Sequence, residues 1–144
     1  MNIEDIVTEW KEDAKYDRLE LGEEALRCSN LHSKYMEIYY KEQSIRIKLQ
    51  NDLNIIRKER WEYWNGKLDE KTIRDKGWEP QPLTILKSDI TIYLETDEYV
   101  SRLNMRVQLQ EEKIKIVDQI IKHIANRGFN IKSAIAYEQF KSGM

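Results

Sequence analysis

No glycine or proline interrupts the chain between Glu23 and Asn65, and that stretch constrains the fold more than any other. Its residue types tolerate a helix well, so one long helix over roughly Leu19 to Asn65 is the simplest reading. At about 1.5 Å per residue it reaches about 65–70 Å, too long for one helix of a compact small domain. Such a helix needs partners along its length, which predicts an assembling protein.

The spacing shows how the helix is held. Cys28, Leu31, Tyr35, Ile38, Ile45, Leu49 and Ile56 share one apolar seam, and Tyr63 continues it. Glu42 and Asp52 interrupt the seam, while Leu53 offers a neighbouring apolar position. A two-stranded coiled coil avoids buried acids at such positions. A mixed helical bundle is therefore expected.

The last turns of this helix differ in kind. Arg57, Arg60, Trp61 and Trp64 stand at i, i+3, i+4 and i+7, on one face. Lys58 points to another side, and Lys67, Lys71, Arg74 and Lys76 follow. Cations neutralise phosphates, and flat aromatic rings offer stacking faces for unpaired bases, worth about 1–3 kcal/mol each. Duplex bases already stack on each other, so the mixture suits a single strand. The competing reading makes the tryptophans core and the arginines a solvated rim.

Composition sharpens the choice of partner. Net charge is −2 over 144 residues, which excludes a global basic field. Locally, residues 1–27 carry nine acids against four bases, whereas residues 28–60 carry seven bases against four acids. With a Debye length of about 8 Å, it is local charge that governs contact binding. A basic patch on an acidic protein is workable.

In chain order, Asn2 caps a short amphipathic helix with Ile3, Ile6, Val7 and Trp10 on one side. It either covers its own long helix or forms an acidic, displaceable arm. Asn65-Gly66 ends the long helix. Lys67–Gln81 reads as an exposed polar loop, in which Trp78 serves as a contact. Leu83-Thr-Ile-Leu and Ile90-Thr-Ile-Tyr-Leu flank Lys87-Ser88-Asp89 and predict a small β-hairpin. Thr96 or Asp97 caps a second long helix. There Val100, Leu103, Val107, Gln110, Ile114, Val117, Ile121 and Ile124 repeat in three- and four-residue steps, with Leu109, Ile116 and Ile120 beside them. So wide a stripe implies two partners, one from the same chain and the other open to a neighbouring subunit. Asn126-Arg127-Gly128 reads as a helix stop, and Asn130 as the cap of a last short helix anchored by Ile131, Ala134, Ile135 and Phe140. The expected architecture is mainly α: two long helices, short terminal helices and a small hairpin. Three segments follow: 1–66 with the basic and aromatic end, 67–95 as connector, and 96–144 as a helical self-association region.

Catalytic chemistry finds little material. His32 and His123 stand far apart and Cys28 is the only thiol, so neither a metal site nor a disulfide framework is expected. No glycine-rich phosphate loop occurs, and serine, histidine and acid do not cluster. No cofactor is expected. The amino terminus carries acids where a signal peptide has a basic start, and no apolar run approaches the length of a membrane span. A reducing cytoplasm is the default compartment.

Lys58-x-Arg60-x-x-Tyr63-Trp64-x-Gly66, closing a long helix, resembles a segment of the UvsY family, recombination mediators of T-even-like phages. Arg127-Gly128-Phe129-Asn130-Ile131-Lys132 is similar to that family's R-G-F-x-I-K, and the order of elements agrees along nearly the whole chain. The Lys67–Gln81 loop departs from the pattern. The resemblance implies a non-enzymatic single-stranded-DNA-binding protein that forms closed rings. It implies a role in loading the RecA-like recombinase UvsX onto DNA covered by the phage single-strand-binding protein, in the cytoplasm of the infected host. It maps the family's DNA-contacting basic pair onto Lys58 and Arg60. The residues themselves add Arg57, Trp61, Trp64, Lys67 and Lys71 as candidate strand contacts. Self-association is expected through Leu103, Val107, Ile114, Val117, Ile121, Ile124, Phe129, Ile131 and Ile135. A helical scaffold without DNA binding is the alternative, and a small acid-assisted nuclease is a remote third.

Overall fold

The computed structural model describes residues 1–81 and 83–143; Pro82 and Met144 lie outside the described residues. Five helices follow in order: α1 (Ile3–Asp13), α2 (Leu21–Trp64), α3 (Glu70–Asp75), α4 (Ile90–Glu95) and α5 (Glu98–Lys141). The chain forms two compact units, one of Met1–Ser44 with Glu111–Met144 and one of Ile45–Gln110. The division falls within α2 and α5, so each long helix contributes to both units.

In the first unit α1 covers its own chain and is no free arm. Asn2 and Asp5 form a reciprocal capping box at its start. Ile6 joins Leu31, Tyr35, Val117, Ile120 and Ile124 in one buried cluster. Trp10 stands edge-on to Tyr35 at 5.6 Å and to the exposed His123 at 5.7 Å. The connector after α1 is held by two arginines. Arg27 donates to the carbonyls of Asp13 and Lys15 at 2.6 and 2.8 Å, and Arg127 donates to the same two carbonyls at 3.4 and 3.2 Å. Glu24 lies 3.0 Å from Arg27 and 3.6 Å from Arg127, one carboxylate shared between the two cations.

Arg127 also explains why the expected stop at Gly128 fails. Both α5 and its hydrogen bonding continue through it to Lys141, so the predicted last short helix is the end of α5. Glycine inside a helix costs only about 1 kcal/mol relative to alanine. Arg127 on one side and buried Ile131 on the other offset that.

Glu42 is buried on the seam of α2 and pairs with Lys113 at 3.2 Å, so the interruption read from the sequence is a buried ion pair. Lys34 reaches Glu9 at 2.5 Å and Asp13 at 2.6 Å, and the Tyr35 hydroxyl donates to Asp13 at 2.9 Å. Burial raises the Asp13 pKa, but the Lys34 and Tyr35 hydrogen bonds and the Lys34 and Arg27 charges outweigh it, leaving it below the ordinary 3.8. A depressed carboxyl contributes stability that is present above 3.8 and lost as pH falls through the lower folded value. In carboxyl NMR, Asp13 should titrate below 3.8 in the wild type and move upward in Lys34→Met. An unmoved titration would remove Lys34 as the cause.

In the second unit Leu49, Leu53, Val100 and Val107 form one cluster, with Ile56, Leu94 and Leu103 against it. The predicted β-hairpin is absent: among the described residues no strand forms, and Ile90–Glu95 is α4. Ile90 is buried and Leu94 is packed, four residues apart, while Ile92 is exposed. A strand would bury all three; the helical period leaves Ile92 out. Two strands alone would also have been marginal.

The loop reading of Lys67–Gln81 needs a similar correction. It contains α3, capped by Asp69, whose side chain accepts from the Thr72 amide. Ile73 and Trp78 are buried with Tyr63.

Candidate nucleic-acid interface

The site forms where α2 ends. Gly66 takes φ +69°, the left-handed conformation that favours glycine. The amides of Gly66 and Lys67 donate to the carbonyls of Tyr63 and Glu62 at 3.1 and 2.9 Å, a Schellman closure that satisfies the helix end. The reversal brings the Lys67 ammonium over the Trp61 ring, 4.7 Å from its centroid. Trp61 is 40% exposed. Lys58 is exposed one turn earlier, with only a 4.0 Å approach to Glu62. Arg57 and Lys71 are exposed as well. The surface therefore offers an indole face with a cation upon it and further cations on α2 and α3.

A second closure follows α3. Gly77 takes φ +72°, and the amides of Gly77 and Trp78 donate to Arg74 and Ile73, each at 3.0 Å. That turn sends Trp78 inward, where its ring meets Tyr63 at 5.7 Å and Tyr99 at 5.4 Å. The Tyr63 hydroxyl donates to the Glu79 carbonyl at 2.7 Å. Trp78 is thus a core residue, contrary to the reading of an exposed contact. Its sequence signal was available: an apolar residue directly after a helix-ending glycine marks this closure.

Beneath the surface lies Arg60, and the structure corrects its reading as an accessible cation. It is 6% exposed, and its Nε donates to Asp97 at 2.7 Å. Its guanidinium carbon lies 4.1 Å from the Tyr63 ring centroid, 4.5 Å from Trp78 and 4.6 Å from Tyr99. Trp64 is partly buried, and its indole N–H donates to the same Asp97 oxygen at 2.9 Å. The other Asp97 oxygen accepts from the amides of Tyr99 and Val100 at 3.0 and 3.1 Å, so of the two caps the sequence offered, Thr96 and Asp97, it is Asp97 that caps α5. One helical face therefore splits: Arg60 and Trp64 point to the interior, Arg57 and Trp61 to solvent. Sequence reasoning missed Asp97 as their partner and the exposed rims of Tyr93 and Tyr99, of which Tyr93 lies 5.2 Å from Trp64.

The expected self-association residues also divide. Val107, Ile114, Val117, Ile124 and Ile131 are buried within the single chain, and Leu103 and Ile121 pack against its cores. Most of the apolar stripe on α5 is thus taken up within the chain, with Leu103 and Ile121 only partly buried and Leu109 beside them 56% exposed. Phe129 is 71% exposed, Ile135 is half-buried, and Tyr137 and Phe140 are exposed beyond them.

Among the described residues no group of three or more His, Cys, Asp or Glu is placed to hold a metal, and no helix is long and apolar enough to cross a membrane.

Crystal structures of the bacteriophage T4 recombination mediator protein UvsY match this fold. One aligns with TM-score 0.87 at 22% identity, covering 99% of this chain and 98% of that one. Another lattice form gives 0.86 at 21%, covering 97% and 99%, and a third gives 0.83 at 22%, covering 95% and 98%. At this identity the likeness establishes the fold. No curated protein sequence matches. The family model described as "Recombination, repair and ssDNA binding protein UvsY" matches residues 9–144, nearly the entire chain. The chain belongs to the UvsY family.

Proposed function

We propose that the protein is a non-catalytic single-stranded-DNA-binding recombination mediator. In this reading Lys58, Lys67 and Trp61 meet the strand, with Arg57 and Lys71 alongside. The observation that carries it is the Lys67 ammonium over the exposed Trp61 ring, one turn from exposed Lys58. A base stacks on the indole while the two ammonium groups neutralise adjoining phosphates. Family membership supplies the class of ligand.

One protomer offers few cations, so its own hold on a strand is weak and salt-sensitive. A ring of copies presents the patch repeatedly, and a strand engaging several copies gains about 10²–10⁴ in affinity through effective concentration. Phe129, Ile135, Tyr137 and Phe140 on the last turns of α5 supply the contact between copies in this reading. The wrapped strand is then handed to the RecA-like recombinase UvsX, displacing the phage single-strand-binding protein, in the cytoplasm of the infected host. Strand-exchange assays on coated DNA test the loading step; no stimulation would remove it.

Binding itself is tested by fluorescence anisotropy of a labelled oligo-dT over a salt series, with subunit mass followed by light scattering. Lys58→Ala/Lys67→Ala should bind more weakly, with the log–log salt slope shallower by about 0.7 for each phosphate left without its cation. Trp61→Ala should weaken binding by about 1–3 kcal/mol with the slope unchanged. Wild-type protein that binds no strand would leave a scaffold role.

A further inference from the structure

We propose that Arg60 is a positioning residue for strand binding, acting through Asp97 and not by contact with phosphate. This inference rests on the single-strand reading of the exposed surface, and it reassigns one of the two cations in the Lys58-x-Arg60 pair.

The two cations stand two residues apart but in opposite surroundings. The Lys58 side chain is 78% exposed; that of Arg60 is 7% exposed and that of Asp97 1%. For Arg60 to reach a phosphate it must leave Asp97, and the carboxylate would remain buried without its counter-charge. It must also leave the faces of Tyr63, Trp78 and Tyr99, which hold a flat delocalised cation well in a desolvated site. Asp97 has no easy substitute partner, because its oxygens already accept from Trp64 and from two amides of α5.

Through these contacts Arg60 joins three segments that are distant in sequence: the last turn of α2, the Trp78 turn after α3 and the first turn of α5. Trp61 is its neighbour in the chain, and Lys67 is set over Trp61 by the closure that starts at Glu62 and Tyr63. Tyr63 and Trp64, the residues inside that closure, are the ones Arg60 and Asp97 hold. Loosening the pair lets the closure shift, and the stacked indole and ammonium fall out of register. Lysine cannot replace the arginine here, since a compact ammonium neither lies flat among the rings nor presents the same fork to Asp97.

The test is oligo-dT anisotropy over a salt series with Arg60→Lys, Arg60→Ala and Asp97→Asn, using Lys58→Ala as the control for a direct phosphate interaction. All are measured where circular dichroism gives wild-type helicity and light scattering gives wild-type mass. Positioning predicts that all three weaken binding by about fivefold or more, the size of one base–aromatic stacking interaction. It predicts an unchanged salt slope for them and a shallower one for Lys58→Ala. Asp97→Asn is the sharpest arm, because removing an acid from an anion-binding protein would otherwise strengthen binding. Near-wild-type affinity for Arg60→Lys, a shallower slope for Arg60→Ala and tighter binding for Asp97→Asn would show that Arg60 leaves its pocket for phosphate, overturning the proposal. Wild-type affinity in all three folded variants would make the pair a matter of stability alone, also overturning it. A wild-type protein that binds no strand would overturn the function reading together with this one, and is distinct from both.

Discussion

Asp97→Ala is expected to destabilise the Ile45–Gln110 unit by about 3–5 kcal/mol, the cost of removing one partner of a buried ion pair. The Arg60 guanidinium would stay buried among its rings with no counter-charge. Loss of the α5 cap adds about 0.5–2 kcal/mol, and the Trp64 indole N–H loses its acceptor. These contributions share one carboxylate and do not simply add. Against a typical total of about 5–15 kcal/mol, that is a large share of the stability. Urea unfolding read by tryptophan emission measures it, since Trp61, Trp64 and Trp78 all lie in that unit. Adding Arg60→Met to Asp97→Ala should recover part of the loss, because no orphaned charge then remains. A single-variant loss below about 1 kcal/mol would mean that the pair is solvated and the burial argument is wrong.

The second large effect belongs to the other unit. Tyr35 is fully buried among Ile6, Leu31 and Val117, with Trp10 edge-on. Tyr35→Ala is expected to cost about 3–5 kcal/mol, the range for emptying a buried aromatic site. Tyr35→Phe separates packing from polarity. It keeps the ring and removes only the hydroxyl that donates to Asp13, for about 0.5–1.5 kcal/mol. Burial and the Asp13 acceptor also raise the pKa of that hydroxyl above its ordinary 10.0, so it stays protonated and able to donate. Thermal melts of the two variants give the ratio. Equal losses would place the stabilisation in the hydrogen bond and not in the ring.

Local rules were legible where a single helix decides the matter. The Asn2 cap and the Gly66 reversal are short-range events that stand where the residue pattern placed them, and the α5 cap is one of the two adjacent residues it offered. The seam of α2 was legible too, including the acid at Glu42 that argued against a plain coiled coil, but Ile45 was misplaced on it: it is 44% exposed, and Leu53 is the buried residue near that end. What failed was decided by tertiary packing. Gly128 carries a weak local penalty that Arg127 and Ile131 override. Ile90–Leu94 is too short for its period to separate strand from helix. The Arg60–Asp97 pair spans 37 residues and has no local signature. One spacing did carry a hint: Tyr63 and Trp64 follow Arg60 at i+3 and i+4, where rings can cover a cation of their own helix. The apolar stripe of α5 announced burial correctly except at Leu109, which is exposed, and could not say whose surface buries it.

The ammonium that rests on Trp61 has a consequence for the protein when no strand is present. A bare indole at a helix end is adhesive, and many copies side by side would multiply the hazard. The Lys67 ammonium covers that face, 4.7 Å from the ring centroid. Under the single-strand reading proposed above, an arriving base would displace that ammonium, and the charge would swing outward toward the phosphates of the same strand. On that reading Lys67 would shield the ring from chance apolar encounters and yield it to a flat, negatively charged guest, guarding its own binding surface.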